Sequence, residues 1–216
     1  MSVARIDGGT RTEGWSRGCL VFSIVSSVVI IGILWPTLRV GADSPKVDWE
    51  KLNRLWKDYI AYPSSLNASR VYDLLPRERH VEYTSAPVEL STLEFIDRTL
   101  RVLQRQIVSK DRQAVKLAFR LFTITDGSLS EGLAEDLGML IRIDPRMFLE
   151  ELAAHRMYVP LGSLVGDFGP DYVDNSNAQE LEASLRIKAL KSVHEQRLSK
   201  LRDECIESLE HQFGPR

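Results

Sequence analysis

From Trp49 onward the apolar positions recur every three or four residues. Trp49, Leu52, Leu55, Trp56, Tyr59 and Ile60 form one broad face of an expected helix. Asp48 is placed to cap it, although Lys51 at the third position leaves the capping box incomplete. Tyr62-Pro63 ends it, because the residue before a proline is pushed out of the helical region. A short second helix is expected from a cap at Asn67 through Val71, Leu74 and Leu75 to Pro76. Asn67-Ala68-Ser69 also fits the N-glycosylation acceptor pattern, but a cap accounts for it better. Residues 77–89 contain Pro87 and a weak alternation at Val81 and Tyr83, which reads as loop with at most one short edge strand.

The centre of the chain has the clearest period. Ser91 or Thr92 caps a helix to about Val108, with Leu93, Phe95, Ile96, Leu100, Leu103 and Ile107 inward. Glu94 completes its capping box with Ser91. Ser109 and Asp111 start the next helix, whose face is Ala114, Leu117, Ala118, Leu121 and Phe122, and Asp126-Gly127 stops it. Ser128 or Ser130 opens a third, with Leu129, Leu133, Leu137, Leu140 and Ile141 inward. Asp144-Pro145 ends that helix and starts a fourth, carrying Met147, Phe148, Leu149, Leu152 and Ala153, since Asp caps and Pro suits the first helical position. The short connections force neighbouring helices antiparallel.

Two C-terminal stretches behave differently. Tyr158 to Asn177 holds Pro160, Gly162, Gly166, Gly169 and Pro170 and reads as a long irregular segment. Its Leu161, Leu164, Val165 and Phe168 say that it packs onto the helices. From Ser176 a single long helix is expected to Gln212, with a seam of Leu181, Leu185, Ile187, Leu190, His194, Leu198, Leu201, Cys205, Leu209 and Phe213. Such a helix outreaches its neighbours, so its last apolar positions, Leu198, Leu201, Cys205, Leu209 and Phe213, are the candidate interface for a partner or a second copy.

Before all this lies a stretch of another kind. Cys19 to Trp35 contains no charged residue, Trp15 and Trp35 bracket it, and Arg5, Arg11 and Arg17 precede it. A membrane-spanning helix needs roughly 17 to 25 such residues. The expected organisation is a polar tail at 1–18, an anchor at 19–38, a linker at 39–47 and a helical domain at 48–216. The arginines place the N-terminus in the cytoplasm and the domain across the membrane. The alternative is a signal peptide cleaved after Val40-Gly41-Ala42, releasing a secreted or periplasmic domain that starts at Asp43. The fold class is therefore all-α: layered helical hairpins, resembling a helical repeat without a self-similar period, with a long C-terminal helix and a single transmembrane helix in front.

Charge narrows the partners. The chain carries 28 Lys+Arg and 30 Asp+Glu. Setting aside Arg5, Arg11, Arg17 and Arg39 and Asp7 and Glu13 leaves 24 against 28 from Asp43 onward, a net of -4. A nucleic-acid binder carries a basic field, so nucleic acid is excluded as a partner. The two cysteines, Cys19 and Cys205, leave a single thiol in the domain, expected half-buried on the apolar side of its helix.

No catalytic, cofactor or metal motif stands out. His80, His155, His194 and His211 share no metal-ligand spacing. His194 falls on the apolar seam and reads as a hydrogen-bonded structural imidazole, while a local ion pair with Glu150 or Glu151 accounts for His155. Glu135-Asp136 and Glu150-Glu151 each point to different sides of a helix, so neither makes a shared-proton pair. Asp126 and Glu131, or Asp171 and Asp174, lack the alternating oxygen ligands of a calcium loop. Asp167-Phe168-Gly169 is similar to the metal-binding tripeptide of protein kinases, but no glycine-rich loop, paired lysine or catalytic aspartate accompanies it, and it reads as coincidence. The expected function is a protein-protein interaction or assembly module held at a membrane. The alternative is an enzyme or small-ligand binder with its pocket beneath 158–177.

Overall fold

The computed structural model describes residues 47–76, 93–125 and 127–214. All lie within one compact unit, 43–216. Among them there are helices and connections but no strand. The expected tail, anchor and linker, the alternation at Val81 and Tyr83, and the caps Ser91 and Thr92 lie outside the described residues. Among the described residues no helix is long and apolar enough to cross a membrane.

The first hairpin follows its local signals. Asp48 accepts the Lys51 N–H at 2.9 Å and opens α1, Trp49–Ala61, which buries Leu52, Trp56 and Tyr59. Helix α2 spans Ser65–Leu74, and its cap is Ser64 rather than Asn67. Ser64 is extended, and its hydroxyl accepts the Asn67 N–H at 3.2 Å. Asn67 is already in the first turn and sends its amide back to the Tyr62 carbonyl at 2.9 Å. Serine and asparagine cap about equally well, and the chain leaves Pro63 two residues too early for an Asn67 start.

Helix α3, Leu93–Val108, buries Leu103 and Ile107 as expected and also Thr99 and Val102, whereas Phe95, Ile96 and Leu100 are only half-buried. The Trp56 indole N–H donates to Thr99 Oγ1 at 3.1 Å and ties α1 to α3. Asp111 caps α4, Arg112–Ile124, by accepting the N–H groups of Gln113 and Ala114. The expected face of α4 is buried, but so are Val115, Phe119, Thr123 and Ile124. This helix is the centre of the domain, packed against α2 and α3 and against two later helices, α5 (Gly127–Ile143) and α6 (Pro145–His155). Helix α5 begins at Gly127, ahead of the expected Ser128 or Ser130 cap. Gly127 has φ 58°, a left-handed entry that glycine takes without strain. Asp144 accepts the Met147 N–H at 2.9 Å with Pro145 at the first position of α6, as the sequence indicates. Of the expected α6 contacts, Ala153 is exposed, because the buried stripe runs through Met147, Phe148, Leu149, Glu151, Leu152 and His155 instead.

The C-terminal third departs most from expectation. Residues 158–177 are not irregular: a 3-10 turn at Arg156–Tyr158, helix α7 at Leu161–Gly166 and a second 3-10 turn at Pro170–Tyr172 occupy most of them. They do pack down, burying Leu164, Val165 and Phe168. The single long helix is two, α8 (Ser176–Lys191) and α9 (Ser199–Phe213), joined through a 3-10 turn at Gln196–Leu198. The break carries neither Pro nor Gly. Ser192 and Val193 donate their N–H groups to Ala189 and Leu190, and the Arg202 guanidinium takes the Val193 carbonyl at 2.8 Å. Folding back then lets α9 pack on α7 and α8 at once, which buries Val193, Leu198, Cys205, Ile206 and Leu209. Burying a side chain of this size contributes about 1.5–3 kcal/mol, so five outweigh the few helical bonds lost at the turn.

Candidate functional site

The candidate interface does not lie on a projecting helix. Leu198, Cys205 and Leu209 are buried in their own chain, and Leu201 and Phe213 are half-buried against the same core. Phe213 sits against Phe168, ring centroids 4.7 Å apart. Leu181, expected inward on the same seam, is 62% exposed, and His194 is exposed in the turn. Cys205 is fully buried rather than half-buried, and burial pushes its thiol up to about 12, so it is unreactive at neutral pH.

The segment between α6 and α8 does form a concavity. An open cleft of about 560 Å³ is lined by Gly162, Asp167, Phe168, Tyr172, Gln179 and Gln212, among others. Its shape is set by backbone constraints. Gly169 has φ 88°, and a Cβ there would fall 2.5 Å from the Glu135 carboxyl, so the position needs glycine on both counts. Asp167 accepts the Gly169 N–H at 2.9 Å, and the Gln179 amide donates to the Tyr172 carbonyl at 2.8 Å. The kinase-like tripeptide thus serves a tight turn. Gln212 of α9 reaches the Gly162 carbonyl at 3.2 Å across the opposite wall.

Arg186 underpins this cleft. It is 2% exposed, donates from Nε to Glu182 at 3.2 Å and from Nη1 to the Val165 carbonyl at 2.8 Å, and lies 4.5 Å from the Phe168 ring centre. Arg142 holds the other oxygen of Glu182 at 2.8 Å. Burial pulls the Arg186 guanidinium below its ordinary value while Glu182 raises it. A buried cation over an aromatic face with a bonded carboxylate is a satisfied arrangement. The space for it comes from Gly138, where a Cβ would meet Arg186 Nη1 at 2.5 Å. Neither Arg186 nor Glu182 was legible as buried from the sequence; the one available signal is their four-residue spacing opposite the glycine of α5.

Glu135 and Asp136 go to different surroundings, whereas Arg112 bridges Glu150 and Glu151. Asp136 is buried and accepts from the Gln104 side chain, whereas Glu135 lies beside Asp167 and Asp171. Burial, and then those two aspartates, raise Glu135. Glu150 gathers Arg112 at 2.7 Å, Arg146 at 3.2 Å and Arg197 at 2.5 Å, and the Arg112 bond chiefly holds it below the ordinary range. Glu151 is buried and raised by that burial, with Arg112 at 3.4 Å. His155 makes no ion pair with either. Its Nδ1 bonds the Glu151 backbone carbonyl at 2.8 Å, its ring stacks on Phe119, and burial lowers it, so it is a neutral core residue. Among the described residues no group of three or more His, Cys, Asp or Glu side chains is arranged to hold a metal ion.

The exposed apolar side chains offer a different surface. Ser65 at the start of α2 donates to Asp111, the cap of α4, at 2.5 Å. Tyr62 ends α1 three residues before Ser65, Leu66 follows Ser65 in the first turn of α2, and Val108 ends α3 three residues before Asp111; they are 77%, 61% and 51% exposed. One end of the domain therefore presents three large apolar side chains from three helices. Comparison with protein-family models, with characterised proteins and with solved structures finds no match to this chain.

Proposed function

We propose that this chain is a single-pass membrane protein whose helical domain is a protein-protein interaction or assembly module, with the N-terminus cytoplasmic and the domain on the far side. The observation that carries the interaction reading is the exposed trio Tyr62, Leu66 and Val108, each within three residues of Ser65 or Asp111, which bond each other. Isolated surface apolar residues are ordinary, but a group from three separate helices at one end marks a contact site. Helix α1 places Tyr62 at the opposite end from Trp49, roughly 20 Å away at 1.5 Å per residue. The anchor reading rests on the uncharged run Cys19 to Trp35 and its flanking arginines and tryptophans.

Two measurements test this. Tyr62→Ser with Leu66→Ser should abolish cross-linking to the partner in intact cells and leave the circular dichroism of the chain unchanged. Retained cross-linking would remove this surface from consideration. Mass spectrometry of the protein from its native membrane should find the residues before Asp43; a mature start at Asp43 would replace the anchor with a cleaved signal. The second reading, a small-ligand binder, is favoured by the Asp167–Gln212 cleft alone, and its polar groups mostly bond one another.

A further inference from the structure

Helices α3 and α5 pack against each other along one seam. A Cβ at Gly132 of α5 would fall 2.5 Å from a Leu100 methyl of α3. One turn further along, the same seam encloses Asp136, which is 3% exposed. Its bonded partner is the Gln104 amide of α3, an uncharged group. The preceding residue, Glu135, adds negative charge and is itself crowded by Asp167 and Asp171. No cation is among the groups that act on Asp136. On α3, Arg98 pairs with Glu94, Arg101 with Asp97, and Arg105 bonds the Arg101 carbonyl; on α8, Lys188 is exposed and Lys191 reaches Glu210. Arg142 of α5 and Arg186 of α8 hold Glu182, Arg112 and Arg146 hold Glu150, Lys116 faces Glu151, Arg120 lies over the Tyr72 ring, and α7 has no charged residue. A carboxylate enclosed without a cation is expensive, and an exposed surface side chain such as Gln104 is easily displaced by water.

We infer that the α3–α5 seam is a pH-responsive joint with Asp136 as its titrating group, closed while the carboxyl is protonated and loosened once it ionises. Burial, the largest influence, pushes this group up to about 7, with the Gln104 bond opposing it and Glu135 adding a further rise. The sign follows from that direction. A carboxyl raised in the folded state keeps its proton where the unfolded chain has lost it. Its contribution is greatest at and below the ordinary carboxylate range, near pH 4, and falls as pH rises toward 7. In that window one proton separates the two states, so each pH unit raises the unfolding equilibrium constant by up to about tenfold. Above the window the seam carries a buried charge, and α3 gains freedom to part from α5. A domain in an acidified compartment would hold this seam tighter than the same domain at neutral pH.

The full-length chain in detergent micelles tests the joint through the carboxyl carbon resonances of its aspartates. Asp136 should titrate with a midpoint near 7, and the amides of Leu100 to Ile107 should lose protection as that midpoint is crossed. A midpoint near 4, or protection unchanged across it, overturns the inference without any variant. Asp136→Asn then gives the independent check. It should remove one proton from the slope of stability against pH between 5 and 7 and keep α3 protected at pH 8. An unchanged slope in a folded Asp136→Asn protein also overturns the inference.

Discussion

Helices α4 and α8 are each enclosed by several neighbours, yet on opposite terms. Helix α4 buries Ala114, Val115, Leu117, Ala118, Phe119, Leu121, Phe122, Thr123 and Ile124, and its three cations, Arg112, Lys116 and Arg120, sit at the margin. Helix α8 buries Glu182, Ala183, Arg186 and Leu190, and leaves Leu181 outside. The first is held by apolar packing around a phenylalanine. The second is held by an ion pair that replaces such packing. Hydrophobic spacing therefore predicts the buried face of α4 and mispredicts that of α8, because every residue scale counts a paired Glu and Arg as surface. A charge goes inside when its partners are already placed: Glu182 one turn away, Arg142 on α5, the Val165 carbonyl and the Phe168 face.

The largest effects should come from the two centres themselves. Phe119 is fully buried against Phe148 and His155. Phe119→Ala should cost about 3–5 kcal/mol, a large share of an ordinary domain's total. Arg186→Ala should cost about 3–5 kcal/mol as well, since it leaves Glu182 enclosed and the Val165 carbonyl without its donor. Urea unfolding distinguishes the two. No apolar partner can restore Phe119→Ala, whereas joint replacement by Glu182→Leu and Arg186→Leu should recover most of the loss, because an apolar pair of similar volume removes the desolvation cost of both charges. If the double variant is as unstable as Arg186→Ala, the ion pair is not what holds α8.

The same contrast explains what the sequence makes legible. The helices between Leu93 and His155 follow from spacing and caps, because apolar residues dominate their buried faces despite Thr99, Thr123, Asp136, Glu151 and His155, and Asp111 and Asp144 bond their first turns as their positions predict. The cap of α2 was misassigned by three residues because Ser64 and Asn67 are equally suitable locally, and only the extended backbone after Pro63 decides. The break between α8 and α9 was invisible because it replaces helical bonds with Arg202 and with serine and valine N–H groups, leaving no Pro or Gly behind. The candidate interface depends on the same break: the seam through Leu198, Cys205 and Leu209 looks like an outward stripe only on a straight helix, and with α9 folded back those three are buried in their own chain. The exposed trio at Tyr62, Leu66 and Val108 carries no pattern at all, since its members belong to three helices brought together by the fold.

A smaller effect separates how the two helices start. Asp111 accepts two N–H groups of α4 and also the Ser65 hydroxyl, whereas Asn175 accepts only the Ala178 N–H of α8, at 3.0 Å. Cap removal costs roughly 0.5–2 kcal/mol. Asp111→Ala should lie in the upper half of that range and Asn175→Ala in the lower half, read as shifts in the urea midpoint at constant slope. Equal losses would mean that the additional bonds of Asp111 contribute nothing beyond an ordinary cap.

The smallest expected effect tests the face of α8 most directly. Leu181 and Leu190 are the same residue on the same helix, and the apolar seam treats them alike. The structure does not: Leu190 is fully buried and Leu181 is 62% exposed. Alanine at either site suits a helix at least as well as leucine, so propensity cannot explain a difference between them. Leu190→Ala should cost about 2–5 kcal/mol through lost burial and the cavity left behind. Leu181→Ala should stay within about 0.5 kcal/mol of the parent, as surface substitutions do. The pair is a rotation gauge, because turning α8 to bring Leu181 inward would carry Arg186 out of contact with Val165 and Phe168. A loss at Leu181 comparable to that at Leu190 would therefore mean that the helix is rotated and that the buried ion pair is not its anchor. If only the chain within its native membrane shows a loss at Leu181, the side chain is covered there by another protein, and the contact surface extends along α8 from its first turns.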